Sequence, residues 1–211
     1  MKTVFVNPER CIGCRQCEFA CAVEHSDSRD PTLAMSESPL PHSRIHVEPG
    51  AAFNTSFPNK CRHCDPAPCE QVCPTAAIAR DSGHDLVLID TKKCIACAMC
   101  AMVCPFDVIS FNAQSNGIPL HIVASKCDGC VDRIDHGQEP ACVEACKAGA
   151  LVFGELTELI RDGRIRESTA VLTAVSTIEQ QPPRLSENVA AWRRWGTSAR
   201  TVTDEEQHGK H

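Results

Sequence analysis

The chain has 211 residues, of which 16 are cysteine, 11 glycine and 14 proline, with no tyrosine, seven phenylalanines and two tryptophans. So few large side chains give little material for a wide apolar core, so a second source of cohesion is expected, and metal coordination couples binding energy directly to folding. The formal net charge of −6 gives no basic footprint, so nucleic acid is not an expected partner. At the N-terminus a short apolar run, Val4, Phe5 and Val6, is soon ended by Asn7 and Pro8. No secretory apolar segment or twin-arginine signal precedes the first cysteine, and no stretch approaches the roughly 18 apolar residues of a membrane span. The expectation is a cytoplasmic, reduced protein, where dense cysteine points to metal rather than to disulfides.

The cysteines sort without remainder into four quartets: Cys11, Cys14, Cys17, Cys21; Cys61, Cys64, Cys69, Cys73; Cys94, Cys97, Cys100, Cys104; and Cys127, Cys130, Cys142, Cys146. The first and third have the spacing C-x2-C-x2-C-x3-C, and Pro105 follows the third. That spacing is the bacterial [4Fe–4S] run, in which three closely spaced thiolates hold one cluster and the fourth reaches a neighbour. The second quartet widens the middle gap and keeps Pro74, whereas the fourth widens it further and has Lys147 in place of proline. Four zinc sites are the competing reading, because thiolates suit both metals, but zinc knuckles are normally separated by a dozen or more residues. Only the fourth quartet fits that pattern by itself.

The repeat extends beyond cysteine. "VFVNPERC", ending at Cys11, and "VLIDTKKC", ending at Cys94, align without a gap and predict a strand leading into each of those quartets. Past the last ligand, "CPTAAI", "CPFDVI" and "CKAGAL" align as well, placing Ile78, Ile109 and Leu151 at the start of outgoing strands. Cys21 instead leads into a polar helical end and a loop. The second quartet has no strand directly ahead of it, since "SRIHVEP" (43–49) stands some distance upstream. The fold expected is therefore α+β, with two nested ferredoxin-like two-cluster modules. Residues 1–28 and 118–155 form the outer module and 43–117 the inner one. Residues 26–42, "SDSRDPTLAMSESPLPH", read as a surface excursion suited to partner contact.

Residues 156–211 read as a C-terminal extension. "GELTELIRDGRIRE" predicts a short helix ended near Gly163, "STAVLTAVST" a strand, and "SENVAAWRRWG" a helix with Ser186 as N-cap and Gly196 past its end. Val189, Trp192 and Trp195 lie at helical spacing on that last helix, which either packs on the chain's own modules or docks a partner. His208 and His211 belong to a solvated, disordered tail.

Every quartet is complete, so no iron is left open for substrate, and no Walker A, G-x-G-x-x-G, G-x-S-x-G or H-E-x-x-H motif occurs. No catalytic residue is assigned. A basic residue precedes each quartet, namely Arg10, Lys60, Lys93 and Lys126, and the preferred reading is four solvated surface charges, with tuning of a cluster potential as the alternative. Gly13 and Gly129, with Ala96 in the matching place, allow backbone N–H groups to approach sulfur or simply permit a turn. His63 lies between two ligands of a full quartet and is read as a hydrogen-bonding or surface residue, not as a ligand.

The runs "CIGCRQCEFAC", "CRHCDPAPCEQVCPTAAI", "CIACAMCAMVCPFDVI" and "KCDGCVDRIDHGQEPACVEACKAGAL" resemble the four-cluster [4Fe–4S] ferredoxin-type electron-transfer subunits. Their host systems include formate dehydrogenase, formate hydrogenlyase, dimethyl sulfoxide reductase, carbon monoxide dehydrogenase and tungsten aldehyde oxidoreductase. The resemblance implies four [4Fe–4S] clusters with one ligand exchanged between paired quartets. Cys11, Cys14, Cys17 and Cys146 would hold cluster 1, and Cys61, Cys64, Cys69 and Cys104 cluster 2. Cys94, Cys97, Cys100 and Cys73 would hold cluster 3, and Cys127, Cys130, Cys142 and Cys21 cluster 4. It also implies a non-catalytic relay subunit of a cytoplasmic oxidoreductase. The expected partner is a large molybdenum, tungsten or nickel catalytic subunit acting on aldehyde, formate or carbon monoxide. A flavin- or NAD-linked acceptor subunit and self-association into a longer relay are further candidates. An independent diffusible polyferredoxin is the alternative, and a zinc-bound structural module a third.

Overall fold

A computed structural model of the chain describes residues 2–50, 55–114 and 121–180. In chain order, β1 (Lys2–Val6) leads into the first quartet, and α1 (Gln16–Glu24) carries its last two cysteines. A single helical turn, α2 (Pro31–Ala34), follows, capped by the Asp30 carboxylate, which accepts from the Thr32 and Leu33 amides. Next come β2 (Ile45–Pro49), β3 (Ser56–Lys60), α3 (Pro68–Gln71) and β4 (Ile78–Asp81). β5 (Leu86–Ile89), α4 (Met99–Met102) and β6 (Ser110–Gln114) enclose the third quartet. β7 (His121–Ser125), α5 (Val131–Asp135), α6 (Ala141–Glu144) and β8 (Leu151–Glu155) enclose the fourth, and α7 (Leu156–Gln180) continues the chain.

The strands form four antiparallel pairs, β1–β8, β2–β3, β4–β5 and β6–β7. Three are local hairpins. The fourth joins the two ends of the cysteine-bearing region, with Val4 opposite Phe153 and Val6 opposite Leu151. The outgoing strands begin where the aligned runs place them: β4 at Ile78, β8 at Leu151, and β6 one residue after the buried Ile109. Two lead-in strands differ from the sequence expectation. β3 stands directly ahead of the second quartet and pairs with β2, Val47 opposite Pro58. β7, absent from the expectation, leads into the fourth. Pro58 has no N–H to give a ladder, and a two-stranded ribbon tolerates it because one edge of β3 is unpaired.

Burial divides these elements into two cores that the thiols themselves help to build. Cys17, Cys21, Cys142, Ile45, Val47 and Leu151 form one, with Val4, Val6, Cys11 and Cys146 packed against it. Ala67, Ile78, Val87, Cys100, Ile109 and Ala124 form the other, with Cys69, Cys73, Cys94 and Cys104 around it. Correspondingly α1 packs on α6 and α3 on α4, so helices of the first and fourth quartets meet, as do those of the second and third. The fold is thus a mixed α and β structure of small sheets.

Residues 1–159 form one compact unit and 160–211 a second. Of the second, the described part is the remainder of α7. This helix runs through Gly163 and through "STAVLTAVST", correcting the expected helix stop and strand. A glycine in a helix interior costs about 1 kcal/mol relative to alanine, which weakens a helix without ending it. The hydroxyls of the β-branched run bond back within the helix, Ser168 and Thr169 to the Ile165 carbonyl at 2.9 and 2.8 Å and Thr173 to that of Thr169 at 2.8 Å. Ser186, Val189, Trp192, Trp195, Gly196, His208 and His211 lie outside the described residues. Among the described residues no helix is long and apolar enough to cross a membrane.

Candidate metal centres

All four C-x-x-C loops make the same turn. The residue before the second cysteine is left-handed in each: Gly13 (φ 70°), His63 (49°), Ala96 (54°) and Gly129 (74°). Glycine is favoured at Gly129 on two counts, since a Cβ there would meet Leu86 Cδ1 at 2.6 Å and displace it, and an L side chain resists this φ. The turn aims amides at sulfur. The His63 N–H donates to Cys61 Sγ and the Gly129 N–H to Cys127 Sγ, both at 3.4 Å. From outside the loops, Arg44, Ala77 and Ala124 donate their amides to Cys21, Cys73 and Cys94 Sγ at 3.3, 3.3 and 3.4 Å. The third residue past the last ligand is also left-handed in three quartets, at Ala76, Asp107 and Gly149, which is the backbone reason that the three outgoing runs align.

The sixteen cysteines are free thiols, and the fold brings some together across quartets. Cys21 lines one cavity of about 300 Å³ together with Cys127, Cys130 and Cys142. Cys73 lines a smaller one, of about 20 Å³, with Cys94, Cys97 and Cys100. Cys146 packs in the core beside Cys17 and Cys11, and burial, with a smaller contribution from this neighbour, raises the pKa of Cys17. Burial raises the Cys69 pKa, and Cys61 and Cys104 nearby add to the rise. Cys14 and Cys97 are exposed, whereas Cys17, Cys21, Cys61, Cys100, Cys130 and Cys142 are buried. Burial pushes the Cys17 and Cys21 thiols up to about 11 and Cys130 up to about 12, and Cys142 in the same direction. Without a metal these are protonated thiols, so a metal that binds them releases protons.

The four basic residues divide into two pairs. Arg10 and Lys93 are exposed, and Lys93 pairs with Asp90 at 3.4 Å. Lys60 and Lys126 are only 4% exposed, which corrects the reading of all four as solvated charges. Lys126 donates to the carbonyls of Val87 and Cys127, the latter at 3.2 Å, and Lys60 to that of Cys61 at 3.2 Å. Their burial follows from position: β3 ends on Lys60, which lines the larger cavity, and β7 ends one residue before Lys126, which reaches the Val87 carbonyl of β5. His63 lies there too, 6% exposed, accepting at Nδ1 from the Val87 amide at 3.1 Å. Burial, then the charges of Lys126 and Lys60, drive its pKa down to about 3, so the ring is neutral. The sequence left His63 as either a hydrogen-bonding or a surface residue, and its burial and the Val87 bond select the first. The usable signal was its offset, which it shares with Gly13, Ala96 and Gly129.

The donor set fits iron–sulfur clusters. Four cysteines line each of the two cavities, and the larger one leaves space between the thiols that a single zinc, bonded to four sulfurs at about 2.3 Å, would not need. His63 Nε2 is a buried nitrogen with no hydrogen-bond partner among the described residues, on the wall of that same cavity. Repeated thiolate turns on a framework of small sheets and short helices define an iron–sulfur protein of ferredoxin type.

Comparison with known proteins agrees. A 4Fe-4S dicluster domain matches residues 52–156 and a 4Fe-4S binding domain residues 4–21. An iron–sulfur protein of Rhodospirillum rubrum is 38% identical over 173 residues, covering 78% of this chain and 89% of that one. The electron transport protein HydN of Escherichia coli (strain K12) is 38% identical over 165 residues, covering 74% and 89%. The thiosulfate reductase electron transfer subunit PhsB of Salmonella typhi is 40% identical over 159 residues, covering 71% and 73%. The chain belongs to the family of [4Fe–4S] ferredoxin-type electron-transfer subunits, and it binds multiple [4Fe–4S] clusters.

Proposed function

We propose that this chain is the relay subunit of a multisubunit oxidoreductase, carrying single electrons through four [4Fe–4S] clusters between a catalytic and an acceptor subunit. When bound, such clusters supply one-electron redox chemistry at potentials set by charge, hydrogen bonds to sulfur and exposure. Cys11, Cys14, Cys17 and Cys146 hold cluster 1, and Cys61, Cys64, Cys69 and Cys104 hold cluster 2. Cys73 joins Cys94, Cys97 and Cys100 at cluster 3, and Cys21 joins Cys127, Cys130 and Cys142 at cluster 4. The observation that carries this reading is the crossing of Cys21 and Cys73 into cavities lined by the other quartet of each pair. Two nested modules, 1–28 with 118–155 around 43–117, are supported by the β1–β8 pairing and by the two cores.

The same observations support an order of clusters 1, 4, 2 and 3 along the relay. Ligands of 1 and 4 share one core and ligands of 2 and 3 the other, while Lys60, beside Cys61, lines the cavity of cluster 4. Cys14 and Cys97, at the two ends of that order, are the exposed ligands, where electrons would enter and leave. The partner is a molybdenum, tungsten or nickel enzyme in the cytoplasm, acting on formate, aldehyde or carbon monoxide. PhsB serves thiosulfate reductase, which adds sulfur oxyanions to the substrate classes to be tested.

Native co-purification with metal analysis tests the reading. About sixteen iron atoms per chain with equal sulfide, in company with a larger chain bearing molybdenum, tungsten or nickel, is the expected result. Purification without a partner would favour the diffusible carrier, a reading that the name of HydN, an electron transport protein, keeps in view. A colourless zinc protein would sink both.

A further inference from the structure

His63 belongs by sequence to the second quartet, in the loop between Cys61 and Cys64, yet it lines the cavity bounded by Cys21, Cys127, Cys130 and Cys142. Its tautomer follows from one contact. The Val87 amide donates to Nδ1 at 3.1 Å, so Nδ1 is the acceptor nitrogen and the neutral ring carries its proton on Nε2. That Nε2–H is buried and has no partner among the described residues. A buried donor left unpaired loses its hydration with nothing in return, so an acceptor is expected where it points.

Lys60 repeats the pattern. It is 4% exposed, lines the same cavity and donates to a single carbonyl, that of Cys61 at 3.2 Å. No carboxylate pairs with it among the described residues. An ammonium buried in this way calls for negative charge close by, and four thiolates around an iron–sulfur cluster supply it. The other loops put Gly13, Ala96 and Gly129 at the offset of His63, none of which carries a side-chain donor.

We infer that His63 Nε2–H and the Lys60 ammonium are donors to sulfur of the cluster held by Cys21, Cys127, Cys130 and Cys142. They therefore set the potential of that centre rather than of the one whose ligands flank them in sequence. Both donors favour the extra electron of the reduced state. They therefore raise the potential of the centre at the passage between the two modules. The inference rests on the ligand assignment proposed above.

The test is a redox titration, followed by paramagnetic resonance, of the full chain purified anaerobically with any partner it brings. His63→Phe is expected to keep the wild-type iron content and to lower the potential of one centre by about 59 mV, a tenfold shift in its reduction equilibrium. His63→Gln, which keeps an amide N–H near the Nε2 position, is expected to recover part of the shift, and Lys60→Met to lower the same centre. That centre is identified by Cys21→Ser, which must alter the same signal. In the protein labelled with ¹⁵N-histidine, the reduced centre is expected to show a nitrogen coupling that His63→Phe removes, which separates His63 from His25 and His84 on the same cavity wall. The inference is overturned by unchanged potentials in an iron-replete His63→Phe protein, by equal losses in the Phe and Gln variants, or by absence of the nitrogen coupling. A shift in a centre that Cys21→Ser leaves untouched would instead overturn the ligand assignment.

Discussion

The residue before the first ligand is basic in all four quartets, yet the fold treats quartets one and three differently from two and four. Around the first and third, Arg10, Lys93, Cys14 and Cys97 face solvent, and Ile12 and Ile95, at matching positions, are 76% and 60% exposed. Around the second and fourth, Lys60 and Lys126 are buried, and the positions matching Ile12 and Ile95 hold Arg62 and Asp128, both half-buried. Asp128 is clasped by Arg44 at 2.5 Å, and Arg62 lies over the rings of Phe57 and Phe106 at 5.5 and 5.4 Å. One repeated unit thus occupies two environments. Its ligand spacing is a local property, but its dielectric surroundings are decided by what the other module packs against it.

The sharpest way to break this contrast is to remove one ligand from each environment. Cys142→Ser, in the shared core, is expected to remove about a quarter of the iron and to lower the melting temperature markedly, because metal binding and folding are coupled there. Cys14→Ser, at an exposed edge, is expected to disturb one centre while leaving the melting temperature within a few degrees of wild type, ~2–4 °C. Iron analysis and anaerobic thermal melts measure both. Equal destabilisation by the two would mean that burial of the ligand loops has no energetic consequence.

A smaller effect is expected from the turns. Gly129→Ala forces an L side chain to φ 74° and pushes on the buried Leu86, so a loss of about 1–2 kcal/mol is expected in anaerobic denaturant titrations. Ala96→Gly, in the exposed third loop, relieves a left-handed alanine and is expected to be neutral or stabilising by up to about 1 kcal/mol. Opposite signs sharpen the comparison; a loss at both positions would show that these turns are not alike.

Much of this was legible before any coordinates. The quartets, the strands leading into the first and third and the outgoing strands at Ile78 and Leu151 follow from spacing and alignment, because a repeated ligand geometry demands a repeated backbone. β3 was not legible, since "SFPNK" carries a proline that argues against a strand until a partner for one edge is known. α7 was misread because Val and Thr carry a strand signal, which is a weak preference and does not stop a helix already under way from Leu156. Burial of Lys60 and Lys126 was hidden for a different reason: the same residue type at the same offset occurs four times, and only tertiary packing distinguishes the copies. His63 was visible as a residue but not as a donor into another quartet's cavity, which is a long-range fact.

The two pairs of cations are expected to separate in potential as well. Lys126→Met deletes a buried charge, which also opposes the burial-driven rise of the Cys69 pKa, and is expected to lower the potential of a nearby centre by roughly tenfold in equilibrium, ~59 mV. Lys93→Glu reverses a charge that is 61% exposed and paired to Asp90, and solvent screening is expected to leave the potentials unchanged. Redox titration of both variants measures the difference. A shift with Lys93→Glu as large as that with Lys126→Met would remove burial as the cause.

The smallest expected effect lies where the two environments touch at the surface. His84, in the turn between β4 and β5, bonds Asp81 through Nδ1 at 3.1 Å and Asp135 of α5 through Nε2 at 2.8 Å, linking the second-to-third quartet hairpin to the fourth. The bonds to Asp81, then to Asp135, hold its pKa above the usual histidine value of 6.5. A raised folded-state pKa makes the contribution to stability fully present below the unfolded value and lost as pH rises through the folded one. The stability gap between wild type and His84→Gln is therefore expected to be widest near pH 6 and to close on the alkaline side. A gap that stays constant, or widens with pH, would show that His84 acts through packing and not through charge.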